Sequence, residues 1–148
     1  MYSKKVLYII LISSFISCKK GDKKVYPAEP AIEFISITPS SFVEGEENVT
    51  ISFKYTDGDG DLGENNADIK NLYVTDNRIG ITYSFRIKQL APTGSIIPIT
   101  GTLNADIGTV FISDSSAQQN VNFSFYVVDR AGHQSNTLST PGITVNAQ

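Results

Sequence analysis

Apolar and polar residues alternate along most of this chain with a period of two. Val49, Ile51, Phe53 and Tyr55 alternate with Thr50, Ser52 and Lys54. Ile81, Tyr83, Phe85 and Ile87 alternate with Thr82, Ser84, Arg86 and Lys88. Val121, Phe123, Phe125 and Val127 alternate with Asn122, Ser124 and Tyr126. Successive side chains of a strand point to opposite faces, so each run predicts a strand with one buried and one wet face. Weaker runs at 32–38, 71–75, 97–103, 107–112 and 143–145 predict further strands. Turn-forming clusters separate them: Pro39-Ser40-Ser41, Glu44-Gly45-Glu46, Pro92-Thr93-Gly94, Asn104-Ala105-Asp106, Asp114-Ser115-Ser116 and Pro141-Gly142. No stretch keeps helical spacing over three turns.

Seven or eight short strands over roughly 115 residues predict an all-β antiparallel sandwich of the immunoglobulin or fibronectin type III kind, with a barrel or jelly roll as the alternative. In that scheme 32–38 is strand A, 48–56 is B, 71–75 and 81–88 are C and C′, 121–129 is F, and 143–145 is a short G. The antibody hallmarks are missing, because the chain has no Trp and a single Cys.

The first residues follow a different rule. Lys4 and Lys5 precede an uncharged apolar run, Val6 to Ile12, and Ser13-Ser14-Phe15-Ile16-Ser17 leads to Cys18. That order predicts a secretory signal peptide over 1–17, since a membrane-spanning helix needs about 20 apolar residues. A small residue before a cysteine at the cut resembles the lipobox of bacterial lipoproteins, with Phe15 where Leu is usual. The resemblance implies that Cys18 becomes the acylated N-terminus and that the lipid bilayer is a partner; more than one acyl chain gives stable anchoring. A lone cysteine in an exported chain has no internal disulfide partner.

Residues 18–31 read CKKGDKKVYPAEPA, a polar stretch that predicts a flexible tether, and 32–148 is then the folded domain. That domain holds 6 Lys+Arg and 13 Asp+Glu, a net charge of −7. Nucleic acid is excluded as a partner by this balance, because its binding rests on neutralising phosphates with Lys and Arg. The basic tether suits anionic headgroups while the acidic body is repelled by them.

Between the second and third strands lies Asp57-Gly58-Asp59-Gly60-Asp61-Leu62-Gly63-Glu64-Asn65-Asn66-Ala67-Asp68. It carries five carboxylates and no Lys or Arg. Alternating Asp57, Asp59 and Asp61 with glycine lets a tight turn aim three carboxylates at one point, as a hard cation such as Ca2+ requires. The spacing matches positions 1, 3 and 5 of EF-hand and thrombospondin-repeat Ca2+ loops. By that analogy Gly63 gives a carbonyl, Asn65 a further contact and Asp68 the closing carboxylate. Leu62 departs from the pattern where Gly is expected, and strands rather than helices flank the loop. The alternative is a solvated hairpin whose acids serve solubility. In a sandwich of this kind the F–G loop shares one end with the B–C loop, so Asp129 is expected close by, either completing the shell or capping a turn.

The Ser17-Cys18-Lys19-Lys20 start, Phe53 to Gly63 and Asn71-Leu72-Tyr73-Val74 together resemble a group of uncharacterised Bacteroidota lipoproteins. The resemblance implies an outer-membrane location and no established activity, and it leaves both the periplasmic and the surface face open.

Other chemistry is thin. His133 reads as a loop histidine; with Asp129 and Ser135 it sits on one predicted loop, and no oxyanion-hole motif accompanies it. Asp76 and Arg78 read as a same-face surface ion pair of small worth. The chain is expected to be a non-catalytic, calcium-stabilised interaction module with a protein or glycan partner. The alternative is a glycan-binding accessory protein of a polysaccharide-uptake system, with Tyr73, Tyr83 and Tyr126 as stacking faces.

Overall fold

The computed structural model describes residues 26–148. The predicted signal peptide, Cys18 and the tether up to Val25 lie outside the described residues. Ten strands follow: β1 (Ala31–Thr38), β2 (Ser41–Val43), β3 (Asn48–Asp57), β4 (Leu72–Asp76), β5 (Ile81–Phe85), β6 (Ile99–Thr109), β7 (Gln118–Val121), β8 (Phe123–Val127), β9 (Leu138–Ser139) and β10 (Ile143–Asn146). No helix occurs among the described residues.

One layer is the antiparallel sheet β1-β3-β6. The other is assembled from β2-β10-β7 and β5-β4-β8-β9. Only Asn122 separates β7 from β8, and Thr140-Pro141-Gly142 separates β9 from β10. Thr140 stitches this break: its N–H donates to Phe123 O at 2.8 Å and its Oγ1 accepts from Phe123 N–H at 3.0 Å. The second layer is thus one five-strand sheet, with β2 parallel to β10 at one edge and β5 at the other. β1, β3 and β6 form one layer and β2, β9–β10, β7–β8, β4 and β5 the other: an antiparallel β-sandwich of the immunoglobulin and fibronectin type III kind.

Period-two patterning builds the interior. Val49, Ile51, Phe53 and Tyr55 of β3 face Leu72 and Val74 of β4 and Phe123, Phe125 and Val127 of β8, all buried. Phe53 and Phe125 meet across the layers with ring centroids 5.4 Å apart. Burying each such side chain stabilises the fold by about 1.5–3 kcal/mol.

Two expectations need correction. Asn104-Ala105-Asp106 is not a turn; it lies inside the eleven-residue β6, paired with Ser52, Ile51 and Thr50. The polar side chains of this stretch find partners across the sheet: Ser52 Oγ donates to Asn104 Oδ1 at 2.7 Å, and Asn48 Nδ2 donates to Asp106 Oδ2 at 2.8 Å. The run at 81–88 is a strand only to Phe85. Ile81 and Tyr83 are 50% and 47% exposed, because little of the facing layer covers β5.

Candidate metal centre

Strand β3 ends at Asp57, and that residue decides the loop. Its side chain is buried at 1% exposure, yet both oxygens are used: Gly60 N–H donates to Oδ1 at 3.3 Å and Leu62 N–H to Oδ2 at 2.6 Å. The carboxylate therefore folds the next five residues back over itself. Leu62 is fully buried and plugs the loop into the interior. The residue that departs from the EF-hand pattern is thus the one that anchors this loop.

Three carboxylates converge here. Asp57, Asp59 and Asp61 each offer an oxygen, and these oxygens all lie within 4.8 Å of one another, an arrangement that could hold a metal ion. Burial above all, helped by the Asp59 and Asp61 carboxyls and opposed by the Leu62 and Gly60 amides, pushes the Asp57 carboxyl up to about 6. Asp61 is also pushed up, by burial first and then by the charges of Asp129 and Asp59. Two oxygens are stranded: Asp59 Oδ1 and Asp61 Oδ1 are buried and have no hydrogen-bond partner among the described residues. A buried carboxylate oxygen without a donor is costly, by about 1–3 kcal/mol or more, and rare enough to need a physical reason.

The loop before β4 and the loop after β8 share one end of the sandwich, as the sequence implied. Arg130 N–H donates to Asp61 O at 3.4 Å, and Ala131 N–H donates to Asp61 Oδ2 at 3.0 Å. Asp129 itself is turned to its own loop. His133 N–H donates to Asp129 Oδ1 at 2.8 Å, and the His133 Nδ1 lies 2.9 Å from Oδ2. Asp129 is thus a turn cap beside the cluster and acts on it through charge. His133 is correspondingly not a free loop histidine, and its pKa is raised by the hydrogen bond and charge of Asp129. Ser135 points elsewhere: its Oγ accepts from Val127 N–H and donates to Asn136 O.

Beyond Leu62 the EF-hand analogy fails. The Gly63 carbonyl accepts from Arg130 Nη1 at 2.8 Å, so a guanidinium stands where a cation contact was expected. Asn65 donates through Nδ2 to Gln89 Oε1. Asp68 is exposed and outside the convergent group of three. With Leu62 driven inward, the chain leaves the cluster before the seventh position.

The glycines of the loop carry a role that the sequence did not disclose. A Cβ on Gly58 would collide with the carbonyl oxygens of Tyr26 and Pro27, one on Gly60 with Ile97 O, and one on Gly63 with Lys88 O. Each glycine thus seats a separate backbone segment on the loop. Nothing in a single sequence signals such long-range contacts.

Two other expectations concern side chains elsewhere. Asp76 and Arg78 form a buried pair, not a surface one. Their side chains are 4% and 13% exposed, Arg78 Nη2 reaches Asp76 Oδ2 at 2.7 Å, and Nε reaches Oδ1 at 3.1 Å. Gln119 Oε1 accepts from Arg78 Nη1 at 2.7 Å, and Phe111 O accepts from Nη2 at 3.2 Å. Tyr73 and Tyr126 stack on each other at 5.1 Å. Tyr83 stands opposite Val74, on the other face of the sheet from that pair, so the three tyrosines do not form one platform. No protein-family model matches the chain, and no curated protein or solved structure does either.

Proposed function

We propose that this protein is a lipid-anchored, non-catalytic interaction module whose sandwich is stabilised by Ca2+ held between Asp57, Asp59 and Asp61. The observation that carries the metal reading is the pair of buried, partnerless oxygens within a three-carboxylate cluster. An all-oxygen donor set selects hard cations over zinc or copper. Calcium takes oxygens at about 2.3–2.6 Å, so two ligands on opposite sides of the ion stand about 5 Å apart. Oxygens within 4.8 Å of one another are close enough for one ion to bridge all three. Waters and neighbouring carbonyls then fill the six to eight places that calcium uses.

The anchor reading rests on the sequence of residues 1–18, in which a basic start, an apolar run and a small residue lead to the lone Cys18. Acylation of that cysteine places the protein at the outer membrane, in line with the resemblance to Bacteroidota lipoproteins. The end of the domain that carries the acidic loop is the end from which β1 starts, since Ala31 pairs with Thr56. The cation would thus stiffen the end nearest the anchor.

Thermal unfolding of the protein with excess Ca2+ and with chelator tests the metal. A ligand bound only by the native state adds about 2.7 kcal/mol at a hundredfold excess over Kd. An unchanged melting temperature, or a Ca2+ shift that survives Asp59→Asn combined with Asp61→Asn, overturns the reading. Incorporation of a fatty-acid analogue into the wild type but not into Cys18→Ser is expected for the anchor.

A further inference from the structure

The tether does not run free up to the domain. Pro30 is buried and Tyr26 half-buried, and Tyr26 lines a small cavity with Glu33, Lys54 and Tyr55. The carbonyl oxygens of Tyr26 and Pro27 press on Gly58, which sits between Asp57 and Asp59. On the other side Asn136 clamps the start of β1: Ile32 N–H donates to Asn136 Oδ1 at 2.8 Å, and Asn136 Nδ2 donates to Ile32 O at 2.9 Å. Residues 26–32 are therefore held between the acidic loop and the loop after β8.

We propose that Tyr26–Pro30 is a strap whose docking is governed by the cation in the acidic loop. The inference rests on the cation reading above and adds what the site controls. Three ionised carboxylates within 4.8 Å repel one another, and the two stranded oxygens mark where that repulsion has no internal relief. A bound cation removes the repulsion and fixes the loop, and with it the surface of Gly58 on which the strap rests. Without the cation the loop spreads and the seat is lost. Charge on the strap acts in the same direction. Glu29 lies close enough to His133 to act on it electrostatically, as Asp59 does, so the docked strap brings one more carboxylate to an end already rich in acid.

The consequence is mechanical. With the strap docked, residues 26–30 are fixed to the domain. With the strap released, those residues add to the length of chain between Cys18 and β1, and reach grows with length.

Hydrogen exchange of the full chain in detergent, followed on a peptide spanning the strap, tests this, with calorimetric titration of Ca2+ run on the same samples. In Ca2+ the amides from Tyr26 to Ile32, of which Ile32 N–H is held by Asn136 Oδ1, should exchange about tenfold more slowly than in chelator. Gly58→Ala should exchange fast at those amides in both conditions. Asp59→Asn should exchange at one rate whether or not Ca2+ is present, and unchanged protection at Val74 and Phe125 shows that the fold is intact. Calcium that binds by calorimetry without slowing strap exchange overturns the strap and leaves the cation reading standing. A chain that takes up no Ca2+ overturns both. Slow strap exchange in Gly58→Ala, with the fold intact, also overturns the seat.

Discussion

Acidifying the metal-free protein should stabilise it, the reverse of ordinary acid denaturation. The perturbation is pH, taken from 7 down to 5 in chelator. Asp57 is 1% exposed, and its carboxyl is pushed from 3.8 up to about 6. At 1.36 kcal/mol per pKa unit, its ionised form costs the fold about 3 kcal/mol at pH 7 relative to an unperturbed carboxyl. Between pH 4 and 6 the folded state binds more protons than the unfolded one, so stability rises as pH falls through that window. Asp61 and His133 act in the same direction, since both pKa values are raised. Asp114, lowered by its bonds to Ser116, opposes them as pH falls toward and below 3.8. By pH 5 Asp57 recovers about 1.3 kcal/mol of its cost, and for a domain of this size 1 kcal/mol moves Tm by about 3–5 °C, so the melting temperature should climb by about 5 °C. In saturating Ca2+ the trend should invert, because the metal requires ionised ligands and protons compete with it. Circular dichroism melts at matched ionic strength provide the assay. A chelator curve that is flat or falling from pH 7 to 5 would refute the claim that burial and mutual repulsion burden these carboxylates.

Breaking the buried Asp76–Arg78 pair should cost about 3–5 kcal/mol in either Arg78→Leu or Asp76→Ala, since each leaves one charge buried alone; urea unfolding reads it, and a loss under 1 kcal/mol would restore the surface-pair view. Leu62→Ala should cost about 2–5 kcal/mol from the cavity it opens and should also weaken Ca2+ binding, because the plug holds the Asp57 turn closed. Lost stability with full calcium affinity in that variant would show that the turn holds without its plug. Phe125→Ala, in the centre of the interior, should cost about 3–5 kcal/mol and leave the Ca2+ increment in Tm intact.

Much of the fold was legible because burial in a sandwich is a local pattern. Every second residue from Val49 to Tyr55 and from Val121 to Val127 is buried, as the alternation implied. The pattern says nothing of what covers a strand. Ile81 and Tyr83 alternate as well as Ile51 and Phe53 do, and they lie exposed because little of the facing layer covers β5. Turn chemistry misled in the opposite way. Asn104 and Asp106 favour turns in isolation, but partners on β3 hold them in a long strand. The Asp76–Arg78 spacing was visible, whereas the Gln119 and Phe111 groups that bury it come from more than thirty residues away.

The acidic loop shows why a motif can be located without being understood. The alternate spacing of Asp57, Asp59 and Asp61 implies that their carboxylates meet, and they do. From spacing alone the intervening glycines serve only to tighten a turn. Gly60 and Gly63 do have positive φ, at 76° and 91°, but all three glycines are also needed for contact with other backbone segments. The two demands are independent: the acids face inward to one another, and the glycines face outward to residues 26–27, 97 and 88. A loop built for the second purpose alone would still hold its alternate residues in one cluster. Three carboxylates are the costliest residues to place there unless something neutralises them, and Arg130, which donates to the Gly63 carbonyl, offsets only part of the charge at Asp61. Uncharged Asn or Ser at positions 59 and 61 would keep the same chain path without stranding two buried oxygens. A cation held as proposed above would account for the acids, and the contacts with residues 26–27, 97 and 88 account for the glycines.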